Sequence, residues 1–169
     1  SRAEYRLLLR QDNADLRLME KGYLIGLINR TQYDSFCRKR ADIEQELERL
    51  RNTRVKPEGI NPVLEKLGGS PVKEAVLLYQ LLKRPEVKYK DIAEVSPAPN
   101  VLSPDVIDQV EIQTKYKGYI SRQAEQADKF KKIEEKRVPE NFDYRSIKGL
   151  SREIVEKLEE VRPLNLGQA

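Results

Sequence analysis

The chain of 169 residues is 38% hydrophobic and 36% charged, with 32 Lys and Arg against 28 Asp and Glu, so it can bury a core beneath a salted surface of net charge +4. It has no His, one Cys, and neither a G-x-G-x-x-G nor a G-x-x-x-x-G-K-[ST] run, which excludes His-based acid–base catalysis, disulfides, His/Cys zinc sites and a dinucleotide or NTP loop. No apolar run approaches the roughly 18 residues of a membrane crossing and no signal peptide is legible, so a cytoplasmic protein is expected.

In SRAEYRLLLR, Tyr5, Leu7 and Leu9 alternate with Glu4, Arg6 and Leu8, which predicts a short extended lead-in from Ser1 to Arg10. Arg2, Arg6 and Arg10 recur at four-residue steps and share a face on a strand or a helix alike. Such a row suits either a solvated face or phosphate contact, because guanidinium forks match phosphate oxygens. Asp12 and Asp15 are spaced as the N-cap and third residue of a helix whose Leu16, Met19, Tyr23 and Leu27 follow at helical steps, loosening near Gly22 or Gly26. Thr31 and Asp34 open a second helix that reaches about Asn52, with Phe36, Ile43 and Leu50 every seven residues, Tyr33 and Leu47 between them, and Arg40 interrupting the seam. Asp34 with Arg38, Glu46 with Arg49 and Glu48 with Arg51 add favourable helical pairs. Cys37, beside Phe36, is read as a small packing residue.

Thr53 to Ser70 contains Pro57, Gly59, Pro62 and the Gly68-Gly69 pair, and is predicted as a connector between two helical lobes with at most one turn near Val63 to Leu67. A helix starting at Ser70 and Pro71 would bury Val72, Ala75, Val76, Leu77, Leu78, Leu81 and Leu82 on most sides and stop before Pro85. Tyr89 to Val95 predicts a short helix, and Pro97, Pro99 and Pro104 after it predict an extended crossing into the next helix.

Ser103 to Arg137 predicts one long helix, N-capped by Ser103, with Pro104 at the first position and Asp105 facing the helix dipole. Ile112, Tyr116, Tyr119, Ile120, Gln123, Ala127 and Phe130 form its expected buried stripe, while Lys115, Arg122, Lys129 and Lys136, at steps of seven, form a separate wet and positive row. At 1.5 Å per residue the helix would be about 50 Å long, so several shorter helices are expected along it. Gly118 costs about 1 kcal/mol inside a helix relative to alanine, which points to a close approach by a neighbouring element. Beyond Pro139, Asp143 caps a short turn ending at Gly149, and Ser151 caps a helix over Arg152 to Val161. Ile154, Leu158 and Val161 should face inward there, with Leu150 and Val155 as a hydrophobic staple and Pro163 as the stop. LNLGQA stands where a further helix is expected to begin.

The pattern is all-α, two helical lobes joined through one long central helix after the extended lead-in. The expected divisions are 1–52 for the lead-in and first helices, 53–102 for the connector and buried helix, 103–137 for the central helix and 138–169 for the last lobe.

SRAEYRLLLRQDNADLRL at the start, LLKRPEVKY (Leu81 to Tyr89), QVEIQTKYKGYISRQ (Gln109 to Gln123), FDYRSIKGLS (Phe142 to Ser151) and PLNLGQA (Pro163 to Ala169) resemble, in the same order, the helical C-terminal part of the glucose-inhibited division protein A family, GidA, also called MnmG. The resemblance implies an FAD- and NADH-dependent enzyme that, with a partner GTPase called MnmE, installs an aminomethyl-type group on carbon 5 of the wobble uridine of certain tRNAs. It also implies that the flavin fingerprint and the catalytic cysteines lie in a preceding domain. This region is therefore expected to carry no catalytic, cofactor or metal site, and Cys37 inherits no role. The implied partners are tRNA, MnmE, the rest of the enzyme chain and, through that chain, a second copy.

Contact with tRNA is expected at Arg2, Arg6, Arg10, Lys115, Arg122 and Lys129, mainly through phosphates, which position a nucleic acid without reading its sequence. Contact with MnmE is expected at Tyr144, Arg145, Leu150 and Leu158, in the lobe whose short helices leave apolar side chains uncovered. Two other readings stand beside this one. The chain would be a free-standing helical adaptor that binds only protein, or a nucleic-acid module resembling a helix-hairpin-helix at Ile147 to Leu158, around a glycine turn.

Overall fold

A computed structural model describes residues 5–169, in the order α1 (Ala14–Leu24), α2 (Arg30–Asn52), β1 (Arg54–Val55), α3 (Pro57–Lys66), β2 (Val76–Leu77), α4 (Leu78–Leu82), α5 (Tyr89–Val95), α6 (Pro104–Glu134) and α7 (Arg152–Val161). Single 3₁₀ turns at Gln11–Asn13 and Tyr144–Ser146 precede α1 and α7. The fold is all-α, as the periodicity predicts, and the chain divides into two compact units between Ile120 and Ser121, within α6.

The first unit is built on α2, whose Ile43, Leu47 and Leu50 share one core with Ile60 and Leu64 of α3, Leu78, Leu81 and Leu82 of α4, Ile92 of α5, and Val106 and Val110 of α6. Burying each of these side chains contributes roughly 1.5–3 kcal/mol, so this cluster holds the unit together. Asn29, two residues before Thr31, caps α2: its side chain accepts from the Gln32 backbone at 2.9 Å and the Gln32 side chain accepts from the Asn29 backbone at 3.1 Å. Glu46–Arg49 and Glu48–Arg51 form as ion pairs, whereas Asp34 pairs backwards with Arg30.

Three segments depart from the sequence reading. The alternating lead-in is a turn over its described part, where the backbones of Leu8 and Leu9 donate to the Tyr5 carbonyl. Asp12 does not cap α1, because its carboxylate is taken by Arg10 and Gln109. The segment expected to connect two lobes is instead the ten-residue helix α3 inside the first unit, with Pro57 at its first turn, Ile60 and Leu64 fully buried in the core, and Pro62 on its exposed side.

The long buried helix from Ser70 shrinks to the five residues of α4, because the chain before it is claimed by β-pairing: β1 and β2 run antiparallel, with Arg54 opposite Leu77 and Val55 opposite Val76. Ahead of β2, the Asn61 side chain donates to the Val72 carbonyl at 3.0 Å and accepts from its N–H at 2.8 Å, standing in for a neighbouring strand. Tyr89–Val95 is helical as expected, opened by the Lys88 backbone donating to Asp91 at 2.7 Å.

On α6, Pro104 occupies the first position, the Ser103 hydroxyl donates to Asp105, and the Ser103 carbonyl accepts from the Val106 and Ile107 backbones. The buried face of α6 is Val106, Gln109, Val110 and Thr114; of the expected stripe, Tyr116, Tyr119 and Phe130 are exposed, and Ile112, Ile120, Gln123 and Ala127 are only half-buried. Gly118 meets no close neighbour, since a β-carbon there would have nothing within 4 Å.

In the second unit, Asp143 accepts from the Arg145 backbone at 3.0 Å, Gly149 takes φ +100°, and Ser151 caps α7 through the Ile154 N–H, all as the sequence predicts. The inward face of α7 differs. Val155, Leu158 and Glu159 are half-buried, while Ile154 and Val161 are exposed. Arg162 in the left-handed region and Pro163 close the helix.

Candidate nucleic-acid interface

The basic residues read from the sequence fall into two groups. Arg6 is exposed, as are Arg122 and Lys129 of α6, and none of the three has an ion pair among the described residues. Arg10 and Lys115 are engaged internally. The Arg10 guanidinium donates to Asp12 at 3.0 Å and to the Leu7 carbonyl, and Lys115 bridges Glu111 at 3.2 Å and the Val87 carbonyl at 2.8 Å. Burial raises the Asp12 carboxyl, but the hydrogen bonds from Gln109 and Arg10 outweigh it and hold the group below its ordinary value. Arg2 lies outside the described residues.

The periodicity misassigned an aromatic surface. Tyr116 is 46% exposed and Tyr119 61% exposed, with exposed Lys117 and Gly118 between them. Rings and cations on one solvent-facing helix are the ingredients of base stacking and phosphate contact.

The residues expected to meet a protein partner are less available. Tyr144 is 5% exposed and sits edge-on to Phe142 at 5.3 Å. Arg145 forms a two-point bond to Glu159 at 2.9 and 3.1 Å, which raises the guanidinium and lowers the carboxyl from their ordinary values. Leu150 and Leu158 are half-buried, and the open apolar residues of this unit include Phe142, Ile147, Ile154, Val161, Leu164 and Leu166, besides Phe130 and Ile133 of α6. The element before Gly149 is a three-residue 3₁₀ turn, so Ile147 to Leu158 is not a helix-hairpin-helix.

Two polar clusters of the first unit carried no sequence signal beyond single helical pairs. Lys39 reaches Asp15 of α1 at 2.8 Å and Asp105 of α6 at 2.9 Å, and Glu46 collects Arg49 and the Tyr89 hydroxyl. Burial pulls the Lys39 ammonium down, and the two carboxylates more than reverse it. Both clusters are saturated by their own partners, which marks them as structural. Cys37 is a free, half-buried thiol, and no three His, Cys, Asp or Glu side chains gather to hold a metal among the described residues. No helix among them is long and apolar enough to cross a membrane.

Two family models match the chain: the tRNA modifying enzyme MnmG/GidA C-terminal helical domain over residues 30–124, and the MnmG/GidA C-terminal helical bundle over residues 126–169. The tRNA uridine 5-carboxymethylaminomethyl modification enzymes MnmG of Caldicellulosiruptor saccharolyticus and Exiguobacterium sibiricum are each 49% identical over 170 residues, covering 100% of this chain and 27% of their own length. A crystal structure of Aquifex aeolicus GidA superimposes with a TM-score of 0.66 at 33% identity, over 99% of this chain and 26% of that one. The chain thus spans about a quarter of the length of the relatives it matches.

Proposed function

Because the chain belongs to the tRNA-modifying MnmG/GidA family, as its C-terminal helical region, we propose that it holds tRNA and docks the GTPase MnmE for an enzyme acting on carbon 5 of the wobble uridine. The observation that carries this reading is the match of both family models, one after the other over residues 30–124 and 126–169. On this reading FAD and NADH are held by the remainder of a cytoplasmic enzyme. The sequence of this chain has no glycine fingerprint to cradle a pyrophosphate, and no step of the chemistry is assigned to its residues.

Arg6 of the arginine row and Arg122 and Lys129 of the α6 row are the accessible members of the two proposed tRNA-contact rows, which Arg2 and Arg10 and, on α6, Lys115 complete as the sequence reads them. Exposed cations of this kind grip phosphates without selecting a base, so anticodon choice lies elsewhere in the enzyme. The second unit is the proposed MnmE face, with Arg145, Leu150 and Leu158 beside open Ile154 and Val161, and Tyr144 as the buried support beneath.

The experiment compares Arg122→Gln with Lys129→Gln against Ile154→Ala with Val161→Ala in the full-length enzyme, each measured for tRNA and for MnmE binding. The glutamine pair should weaken tRNA binding at low salt and spare MnmE, and the alanine pair should do the reverse. Loss of the same partner by both pairs, or normal tRNA binding by the glutamine pair at every salt concentration, refutes the two-surface assignment.

A further inference from the structure

One tyrosine of the first unit is surrounded by positive charge that neither proposed surface includes. Tyr79 of α4 is 9% exposed and packed in the core, and its ring centroid lies 4.7 Å from the Lys83 ammonium, 5.5 Å from the Arg51 guanidinium and 5.9 Å from the Lys117 ammonium. The three cations come from three elements: the last turn of α2, the end of α4 and the middle of α6.

On α6 the placement follows from periodicity. Val106, Val110 and Thr114 descend the buried face at four-residue steps, and Lys117, three residues on, continues that face where the core ends. An apolar residue would be expected there, and an exposed ammonium over the edge of the core stands in its place.

Three like charges around one ring repel each other, and the usual remedy, a carboxylate partner, is present only at Arg51 among the described residues. Arg51 has Glu48 at 3.8 Å, and neither Lys83 nor Lys117 has an ion pair among the described residues. The ring's negative face attracts each cation and limits its wandering, so the charges are partly pre-organised. The Tyr79 hydroxyl is buried without a hydrogen-bond partner and takes no part; the ring is a pedestal, and the outward N–H donors do the binding.

We propose that Arg51, Lys83 and Lys117 form a phosphate-contact site for an RNA backbone, separate from the arginine row and from Arg122 and Lys129. The chemistry that fits is a phosphodiester: singly charged, with two free oxygens able to accept from two cations at once. Cations spread over an open surface suit a polyanion, whose bound counterions are released on contact, better than a small phosphate. The site rests on the reading that this region holds tRNA.

The test uses the full-length enzyme that carries this region and an unmodified tRNA transcript, with affinity measured across a salt series. Lys83→Gln with Lys117→Gln should weaken binding several-fold and reduce the slope of log affinity against log salt by about two, one for each phosphate no longer neutralised. Lys73→Gln with Lys90→Gln, an equal charge change at exposed lysines that are not among the cations over the Tyr79 ring, should move neither quantity comparably. An unchanged melting temperature for both pairs excludes unfolding as the cause. Equal losses in the two pairs, or none in the first, overturn the site. Binding that survives Lys83→Gln with Lys117→Gln but is lost in Arg122→Gln with Lys129→Gln keeps the tRNA-holding reading and removes this site. Absence of salt-dependent tRNA binding by the unsubstituted enzyme removes both.

Discussion

The Tyr89 hydroxyl donates to the Glu46 carboxylate at 2.8 Å, joining α5 to α2 inside the first unit. Glu46 is 3% exposed, and it is tolerable there because Arg49 also grips it at two points, both 2.7 Å. Removing the hydroxyl in Tyr89→Phe leaves a buried charge short of one donor, and hydrogen bonds to charged groups are worth about 1.5–3 kcal/mol. A loss of that size is expected in urea denaturation, with the slope unchanged.

The same contact sets a pH dependence. Burial, then the bond to Glu46, pushes the Tyr89 hydroxyl above its ordinary value of 10.0. The folded state keeps this proton where the unfolded chain releases it, so the contribution is complete below pH 10.0 and falls away as pH rises beyond it. Stability should therefore decline above that pH, and Tyr89→Phe should decline less steeply in the same denaturation series.

Lys39 binds two carboxylates from two helices, and its side chain is 17% exposed. Its partners are wetter, so the cluster sits between a surface pair and a buried one. Lys39→Gln is expected to cost about 1 kcal/mol, measured by thermal or chemical unfolding.

Two glycines should respond in opposite directions. Gly118 lies inside α6 with open space around it, so Gly118→Ala should stabilise the helix by about 1 kcal/mol. Gly149 sits at φ +100°, where a side chain is strained, and Gly149→Ala should destabilise by roughly 1–2 kcal/mol. A matched pair of melting curves checks both.

Local signals were read well and long-range ones poorly. The turn at Asp143, the cap at Ser151 and the stop at Pro163 depend on neighbours a few residues away, and sequence alone located them. The buried face of α6 was missed because it contains Gln109 and Thr114, while the more apolar stripe through Tyr116 and Tyr119 faces solvent. Helix α3 was hidden by two prolines and a glycine, although Pro57 occupies a position where proline is at home. Two-residue strands have no period to detect. The candidate site suffered in the same way, since spacing placed Arg10 and Lys115 in basic rows but could not show that Asp12, Leu7, Glu111 and Val87 claim them.

The clasp between Asn61 and Val72 also bears on how fast this region folds. The β1–β2 pair must close a loop that contains all of α3, and closure entropy grows with loop length. Asn61 joins Val72 across a loop about half as long, and each halving lowers the closure cost by about 0.6 kcal/mol. Once that inner ring is shut, the strands have only a short remaining path to find each other. The amide thus gives the non-local strand pair a shorter closure, nested inside the loop that the backbone ladder would otherwise have to close alone.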